Sequence, residues 1–231
     1  MSTLIASNLQ ASGGAGTAAM LASINGGPLA GTRNRIINGG MAVDQRNAGA
    51  AQTYTAAAAL AYSVDRWYGY CTGANVTGQR LQTTNKTYFY QFTGAASITG
   101  IGFGQRIEQL NCCELAGTTA RLSVELANTL LSTVTWTAYY ANTADTFGTL
   151  ASPTRTQFAT GTFTVNSTGA QYSAQMSVPA AANTGIEIVF TVGAQTSGVW
   201  QISNVQLEAG SVATPFERRS YGQELALCQR Y

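Results

Sequence analysis

Carboxylates are the residues that could do acid–base chemistry in this sequence, because the chain contains no histidine. Without histidine, neither a Ser-His-Asp nor a Cys-His arrangement can form. Glu108, Glu125 and Glu187 each lie in or beside a predicted strand, where two carboxylates could face each other across a cleft, as in glycoside hydrolases. The alternative is that all three lie on solvated strand faces. We favour this second interpretation, so the sequence predicts that the protein is not an enzyme.

The cysteines and glycines suggest no cofactor. Cys71, Cys112, Cys113 and Cys228 show no C-x-x-C spacing, which favours reduced, buried thiols over a disulfide or a metal site. The stretch "GIGFG" at residues 100–104 is not followed by a helical pattern or by the Lys-Ser/Thr of a phosphate loop. It therefore predicts a glycine-rich strand or turn, and we expect neither a bound nucleotide nor a metal ion.

The charge content argues against nucleic-acid and membrane partners. The net charge is +2 over 231 residues, whereas proteins that bind anionic polymers usually show clustered Lys and Arg. Lys86 is the only lysine among 12 basic residues, and arginine suits planar contacts within a packed assembly. The N-terminal "MSTLIASNLQASGGAG" lacks a basic start and an apolar signal core, which predicts synthesis in a cytoplasm without membrane insertion.

The tyrosines offer a different kind of site. Tyr88 and Tyr90 lie in one predicted strand and Tyr139 and Tyr140 in another, within runs that place rings on both strand faces. Rings exposed on a sheet can stack on sugars, and they can also pack against another subunit. These four tyrosines are the candidate glycan-binding residues.

The elements that must position these residues are strands. Leu122, Val124 and Leu126 alternate with polar residues at period two, which indicates a half-buried strand. The same alternation recurs in "TVTWTAYY", "TYFYQF", "GTFTV", "QYSAQMSV" and "GIEIVFTV". The apolar side changes near Ser203 and Asn204, which predicts a β-bulge. Many short strands without intervening helices predict an all-β fold, an antiparallel jelly roll or β-sandwich.

The two ends of the chain differ from this pattern. Residues 1–33 are rich in Ala, Gly and Ser and predict an extended arm that orders against a partner, and residues 34–219 form the predicted sandwich. Ser220 and Gln223 fit a capping box that begins a short helix at residues 220–231. Tyr221, Leu225 and Cys228 follow at helical spacing, so we expect one apolar stripe that packs on the sandwich.

Four stretches together resemble a family of tail-fibre and related virion proteins of tailed bacteriophages and prophages. They are "NRIINGGMAVDQRNAG", "YSVDRWYGY", "GQRIEQLNCCELAGTTARLSVEL" and "ISNVQLEAGSVATPFERRSYGQELALCQRY", and the resemblance covers about residues 20–231. Its most specific part is the closing run with "QLEAG", "TPFE" and "CQRY". The resemblance implies a jelly roll similar to carbohydrate-binding modules.

The resemblance also implies structural roles for particular residues. It identifies Asn38 and Gly39 as the turn leading into the first strand, and Asp65, Arg66 and Trp67 as a corner element anchored by the tryptophan. The residues themselves predict three further structural roles: Trp200 lies in the core, Leu225 belongs to the apolar stripe of the terminal helix, and Phe216 directs the chain towards that helix. Family relatives often hold a structural calcium ion, but Gly40 stands where the family commonly has Asp, so we expect no metal site here.

Three functional interpretations remain open at this stage. The first is a short tail-fibre or receptor-binding protein of the virion, which contacts host-surface polysaccharide. The second is a capsid decoration or cement protein, or a tail adaptor, without a ligand. The third is a polysaccharide depolymerase. The resemblance to fibre proteins implies a homotrimer, with the N-terminal arm contacting other virion proteins.

Overall fold

The computed structural model of the protein describes residues 32–57 and 59–229. The strands along this part of the chain are β1 (Gln52–Tyr54), β2 (Ala61–Tyr62), β3 (Trp67–Thr72), β4 (Val76–Gln82), β5 (Tyr88–Thr93), β6 (Gly100–Ile107), β7 (Thr119–Asn128), β8 (Thr133–Ala141), β9 (Arg155–Thr164), β10 (Ala170–Ser177), β11 (Ile186–Val192) and β12 (Val199–Ala209). The α-helices are α1 (Gln109–Cys112) and α2 (Tyr221–Gln229), and Cys113–Leu115 and Ala180–Thr184 are 3-10 turns.

Two antiparallel sheets form a sandwich. The first sheet has the order β1-β4-β5-β12-β7-β10 and the second has the order β2-β3-β6-β11-β8-β9. The alternation in the sequence sets which side chains lie between them: Leu122, Val124 and Leu126 are each at most 1% exposed. The predicted fold class, an all-β sandwich with a short C-terminal helix, is confirmed. The predicted arm lies outside the described residues, except for Thr32 and Arg33.

Stacked aromatic rings fill the core, and the pair of Tyr90 and Phe103 joins the two sheets. Trp67 and Tyr90 each stack on Phe103, with ring centroids 4.9 and 4.8 Å apart, and Phe92 stacks on Trp200 at 5.2 Å. Tyr90 is 1% exposed, so its predicted role in glycan binding is wrong. Tyr90 and Phe92 are two residues apart in β5, so both side chains point into the core. The Tyr90 hydroxyl is hydrogen bonded to the hydroxyl of a second buried tyrosine, Tyr54, at 2.8 Å.

The predicted bulge is present in β12. The pairing of β12 with β7 shifts register between Ser203 and Gln206. Ile202 before the bulge and Val205 and Leu207 after it all lie in the core. In a regular strand, Ile202 would point to the opposite face from Val205 and Leu207, because side chains alternate with period two.

The segment around Asn38 does not lead into a strand, because the next strand begins at Gln52. It is instead a buried turn in which Asn38, not Gly39, has the positive φ of 56°. Gly39 is required for a different reason: a Cβ there would lie 2.1 Å from the carbonyl oxygen of Val205. The turn is therefore present where it was predicted, but the prediction that it leads into the first strand is wrong.

The closing motifs hold the two ends of the described chain together. The Glu208 carboxylate accepts hydrogen bonds from the backbone N–H and hydroxyl of Thr214, and Gln206 accepts one from the backbone N–H of Glu217. The Glu217 carboxylate in turn accepts from the backbone N–H groups of Arg33 and Asn34. These residues account structurally for the "QLEAG" and "TPFE" runs. Phe216 is half-buried beside this network.

Helix α2 begins with the predicted capping box, in which Ser220 and Gln223 exchange hydrogen bonds. The predicted apolar stripe is partly wrong, because Tyr221 is 62% exposed. Leu225 and Cys228 do pack together, in a small cluster with Ile37 and Val43.

Candidate functional site

The outer side of the second sheet carries a row of tyrosines, of which Tyr68 is covered by its neighbours (0% exposed) and the others are partly exposed. In β3, Tyr68 and Tyr70 point away from the core because their neighbours Trp67 and Cys71 point into it. On this surface we define the tyrosine face as Tyr62, Tyr68, Tyr70 and Tyr139.

Glycines in β6 make room for two of these rings. Gly104 pairs with Tyr68 and Gly102 with Tyr70. A Cβ at Gly102 would lie 2.1 Å from the Tyr70 ring, and one at Gly104 would lie 2.6 Å from the Tyr68 hydroxyl. The rings therefore lie directly across the glycine backbone, which explains the "GIGFG" stretch as part of a strand. Tyr70 remains partly exposed in this arrangement.

A buried carboxylate organises the centre of the tyrosine face. Glu187 is 0% exposed and accepts hydrogen bonds from the Tyr68 hydroxyl at 2.6 Å and from Arg106 Nε at 2.8 Å. Its second oxygen is paired with Arg155. Two guanidinium groups and a phenol thus compensate one buried negative charge, as a buried ion requires.

The same two arginines cover tyrosine rings. The Arg155 guanidinium lies 4.2 Å from the centroid of Tyr139, and the Arg106 guanidinium lies 5.5 Å from that of Tyr68. Burial raises the pKa of Tyr70 above its ordinary value, and the nearby Arg155 only partly offsets this effect. The Tyr70 phenol is therefore uncharged at neutral pH, so it can both donate and accept hydrogen bonds.

A cleft of about 510 Å³ adjoins this face, within the range of roughly 300–1,000 Å³ that is typical of ligand pockets. We call it the arginine cleft. Its floor and walls include the end of α2 at Cys228 and Gln229. The rest of its lining is formed by Gln45, Arg46, Tyr62, Asp65, Arg66, Arg106 and Glu108.

Tyr62 and Arg106 belong both to the cleft and to the edge of the tyrosine face. The Tyr62 ring is 48% exposed and meets Tyr68 edge-on, with centroids 6.0 Å apart. Within the cleft, Arg66 pairs with Glu108 rather than with its neighbour Asp65. The Asp65 carboxylate accepts hydrogen bonds from Gln45. The corner predicted at Asp65, Arg66 and Trp67 is thus the end of the β2–β3 turn and the start of β3. The Arg66 guanidinium and the Asp65 carboxylate bind Glu108 and Gln45 and not each other.

The three candidate carboxylates do not form a catalytic pair. Glu187 is buried and fully paired, and Glu108 is paired with Arg66 in the arginine cleft. Glu125 lies on β7 of the other sheet, where it accepts a hydrogen bond from Asn204. Among the described residues, the carboxylates of Glu108 and Glu187 are held by arginines rather than placed opposite a second carboxylate across an open cleft.

The four predicted glycan-binding tyrosines are not brought together. Tyr88 lies in the first sheet, half-buried beneath the Arg80 guanidinium at 4.5 Å. Tyr140 packs on the core side of β8 and stacks on Phe158. Tyr139 is the one member of the four that lies on the tyrosine face.

The cysteines of the chain are free thiols, three of them buried and Cys113 exposed. Burial raises the pKa values of Cys112 and Cys228 to about 12, which makes both thiols unreactive at neutral pH. Over residues 32–57 and 59–229, no group of three His, Cys, Asp or Glu side chains is arranged to bind a metal ion. In the same ranges no helix is long and apolar enough to cross a bilayer.

Sequence reasoning missed Tyr62, Tyr68, Tyr70 and the arginines that surround them. The signal for Tyr68 and Tyr70 is present in "RWYGYCT", where Trp67 and Cys71 alternate with the two tyrosines. The arginines give no such local signal, because Arg46, Arg66 and Arg106 come from separate loops and strands.

Comparison with known proteins shows similarity of fold to carbohydrate-binding modules and to a phage tailspike. No protein-family model and no curated protein matches the sequence. A family 4 carbohydrate-binding module (CBM4) is 14% identical, with a TM-score of 0.46, and the match covers 74% of this chain and 97% of that one. The family 11 module from Clostridium thermocellum, solved with a mixed-linked tetrasaccharide, is 12% identical with a TM-score of 0.41, covering 64% and 91%.

The enzymatically active domain of tailspike protein 4 from bacteriophage CBA120 is 20% identical, with a TM-score of 0.45. That match covers 62% of this chain and 19% of the tailspike chain. At these levels of similarity, no residue role is transferred to this chain.

Proposed function

We propose that this protein binds glycan without cleaving it, through the arginine cleft and the adjoining tyrosine face. The observation that carries the proposal is the position of Tyr62, whose half-exposed ring forms a wall of a 510 Å³ cleft beside guanidinium, carboxylate and carboxamide groups. A sugar ring presents an apolar face of C–H groups and a rim of hydroxyls, so it needs this combination of a ring and planar hydrogen-bonding groups.

Tyr70 and Tyr139 extend the contact surface beyond the cleft. Both rings are partly exposed on the same outer surface as Tyr62. Glu187 holds Arg106 and Arg155 in place, so the polar groups are oriented before a ligand arrives, which reduces the entropy cost of binding. An extended glycan could therefore contact the cleft and the sheet surface together.

Absence of catalysis is part of the proposal. A glycosidase needs one carboxyl group as acid and a second as nucleophile or base, about 5–9.5 Å apart across the bond to be cleaved. Glu108 is paired with Arg66, and Glu187 with Arg106 and Arg155, so both carboxylates are engaged in structural contacts. We expect no release of reducing ends from any polysaccharide that the protein binds.

The wider role rests on the resemblance of the sequence to virion proteins of tailed phages. On that basis, the protein is a tail-fibre or receptor-binding component, with residues 1–33 attaching it to the particle. Single sugar sites are weak, with millimolar affinity corresponding to about −4 kcal/mol. Several copies on one particle would raise the effective affinity through multivalency.

Tyr62→Ala tests the proposal. The full-length protein is applied to an array of bacterial surface glycans, and binding of the best ligand is then measured by titration calorimetry. We expect Tyr62→Ala to weaken this binding at least tenfold. Tyr221→Ala is the matched control, since it removes a tyrosine that is even more exposed (62% against 48%) and lies at the other end of α2 from the cleft.

Two results would reject the proposal. One is that the wild-type protein binds no glycan while particles lacking it lose capsid or tail integrity, which would favour a decoration or adaptor protein. The other is reducing-end release that disappears in Glu108→Gln, which would favour a depolymerase.

A further inference from the structure

A second cavity lies on the outer surface of the first sheet, at the bulge of β12. Its volume is about 110 Å³, and we call it the bulge pocket. The side chains of Phe89, Glu125, Gln201 and Asn204 line it. Phe89, Glu125 and Gln201 have the strand parity opposite to the buried Tyr90, Leu126 and Ile202, so this pocket opens on the other side of the sandwich from the tyrosine face.

The backbone at the bulge is strained in a way that orients a side chain. Asn204 has a φ of 47°, a left-handed conformation that costs free energy for a residue with a side chain and often marks a functional position. Its carboxamide donates a hydrogen bond to Glu125 Oε2 at 2.6 Å. The neighbouring Ser203 hydroxyl donates to the backbone oxygen of Tyr88, also at 2.6 Å. The bulge thus fixes the orientation of the Glu125 carboxylate.

Two oxygen atoms in the pocket are free to accept hydrogen bonds. Gln201 uses its amide N–H for a bond to Gln91 Oε1 at 2.8 Å. Among the described residues, neither Gln201 Oε1 nor Glu125 Oε1 receives a hydrogen bond, so both oxygens can accept from a ligand. The Phe89 ring is half-buried beside them. A carboxylate, an amide oxygen and an aromatic ring together suit a ligand with hydroxyl donors and an apolar face.

We propose that the bulge pocket is a second carbohydrate subsite that takes one uncharged sugar residue. Its volume is below the roughly 300–1,000 Å³ of larger ligand pockets, which limits the occupant to a single ring. The negative charge of Glu125 disfavours acidic sugars. This subsite does not depend on the arginine cleft, since the two lie on opposite sheets.

The test uses the full-length, isotope-labelled protein and residue-resolved NMR. Methyl α-glucoside, methyl α-galactoside, methyl α-mannoside and glucuronic acid are titrated separately, up to 100 mM. We expect at least one neutral glycoside to shift the amide signals of Phe89, Gln201 and Asn204, with a millimolar dissociation constant. Glucuronic acid should bind there with a dissociation constant at least tenfold higher.

Variants then assign the binding to this pocket. Phe89→Ala and Glu125→Gln should each raise the dissociation constant of the glycoside at least tenfold, whereas Tyr62→Ala and Gln175→Ala should leave it unchanged. Gln175 is an exposed residue on β10 of the same sheet and serves as the matched control. Both pocket variants are checked for an unchanged dispersion of core methyl signals. The proposal is overturned if no glycoside shifts these amides, or if the shifts occur only around Tyr62 and Arg106.

Discussion

At the scale of single residues, Asn38 connects more of the molecule than any motif in the sequence suggests. Its carboxamide donates to the backbone oxygens of Val43 and Asp65, and accepts from the Val43 N–H. Its own carbonyl oxygen accepts from the Trp67 indole at 3.1 Å. The residue is 0% exposed, so every one of these groups would be unsatisfied without its partner. This explains why "RIING" and "DRW" occur together in one chain.

Replacing Asn38 should therefore be costly. Asn38→Ala removes three side-chain hydrogen bonds and leaves buried backbone groups unpaired, and it places alanine at a positive φ. We expect a loss of at least about 3 kcal/mol of unfolding free energy, measured by urea denaturation. Asn38→Gly keeps the backbone conformation and should recover about 1 kcal/mol of that loss. If both variants unfold like the wild type, the contacts around Asn38 are not stabilising.

Glu187 is the second residue whose removal should have a large effect. Glu187→Gln keeps the shape of the side chain but leaves Arg106 and Arg155 without their common carboxylate. Breaking a buried ion pair by removing one partner costs about 3–5 kcal/mol. We expect a loss in this range in urea denaturation. Tyr68→Phe, which removes only the phenol donor to the Glu187 carboxylate, should cost less, about 1.5–3 kcal/mol. Equal losses for the two substitutions would contradict the role assigned to the arginines.

At the scale of elements, local pattern was sufficient where one face of a strand is buried. Leu122, Val124 and Leu126 could be placed from their spacing alone, and the change of parity at Ser203 and Asn204 located the bulge. The prediction of the α2 stripe failed at Tyr221 because periodicity counts apolar residues and cannot foresee a buried charge. Glu224 takes the inward position instead, where it accepts from the Asn38 N–H and pairs with Arg219.

The candidate site depends on which elements become neighbours, and this could not be predicted from local sequence. Arg46 precedes β1, Arg66 lies in the β2–β3 turn and Arg106 is in β6, and only the sheet order places them around one cleft. The tyrosines show the same limit, since Tyr88 and Tyr139 have similar local patterns but lie on different sheets. Parity indicates which rings point outward, but not which outward rings share a surface.

The contact of α2 with the sandwich should contribute to stability through Leu225. This side chain is half-buried against Ile37, Val43 and Cys228. Leu225→Ala should lower the free energy of unfolding by about 2 kcal/mol, at the lower end of the range for buried leucines. Differential scanning calorimetry measures the effect, and Tyr221→Ala, at an exposed position of the same helix, should leave the melting temperature unchanged. An unchanged melting temperature for Leu225→Ala would mean that the helix is a tail.

At the scale of the whole molecule, buried thiols and phenols predict alkaline instability. Burial raises the pKa values of Cys112 and Cys228 to about 12 and raises the pKa of Tyr68 above its ordinary value. In the unfolded chain the thiols ionise near pH 8.5. The folded state therefore binds more protons between about pH 8.5 and 12, so stability is full below this window and decreases as the pH rises through it.

Each buried thiol should lower the unfolding free energy by about 1.4 kcal/mol per pH unit in that window. Urea denaturation at pH 8, 9, 10 and 11 under reducing conditions measures the slope. Cys228→Ala should decrease the slope by about that amount, because it removes one titrating group. A slope that is the same in the variant and the wild type would show that the Cys228 thiol is not protected by folding.

Assembly is the remaining property of the whole molecule, and we expect a homotrimer. Each sheet ends in a long strand, β9 and β10, that pairs on one side only within the described residues. Unpaired strand edges favour association unless they are protected by charge, proline or bulges, and between Thr156 and Thr164 strand β9 carries no charge and no proline. Light scattering of the full-length protein should give three times the chain mass of 24.1 kDa.

Replacing the exposed Thr162 and Thr164 with lysine adds like charges along this edge, and should shift the mass towards the monomer without changing the circular dichroism spectrum. A monomeric mass for the wild type at high protein concentration would contradict the trimer, and an unchanged mass in the lysine variant would exclude β9 as the contact.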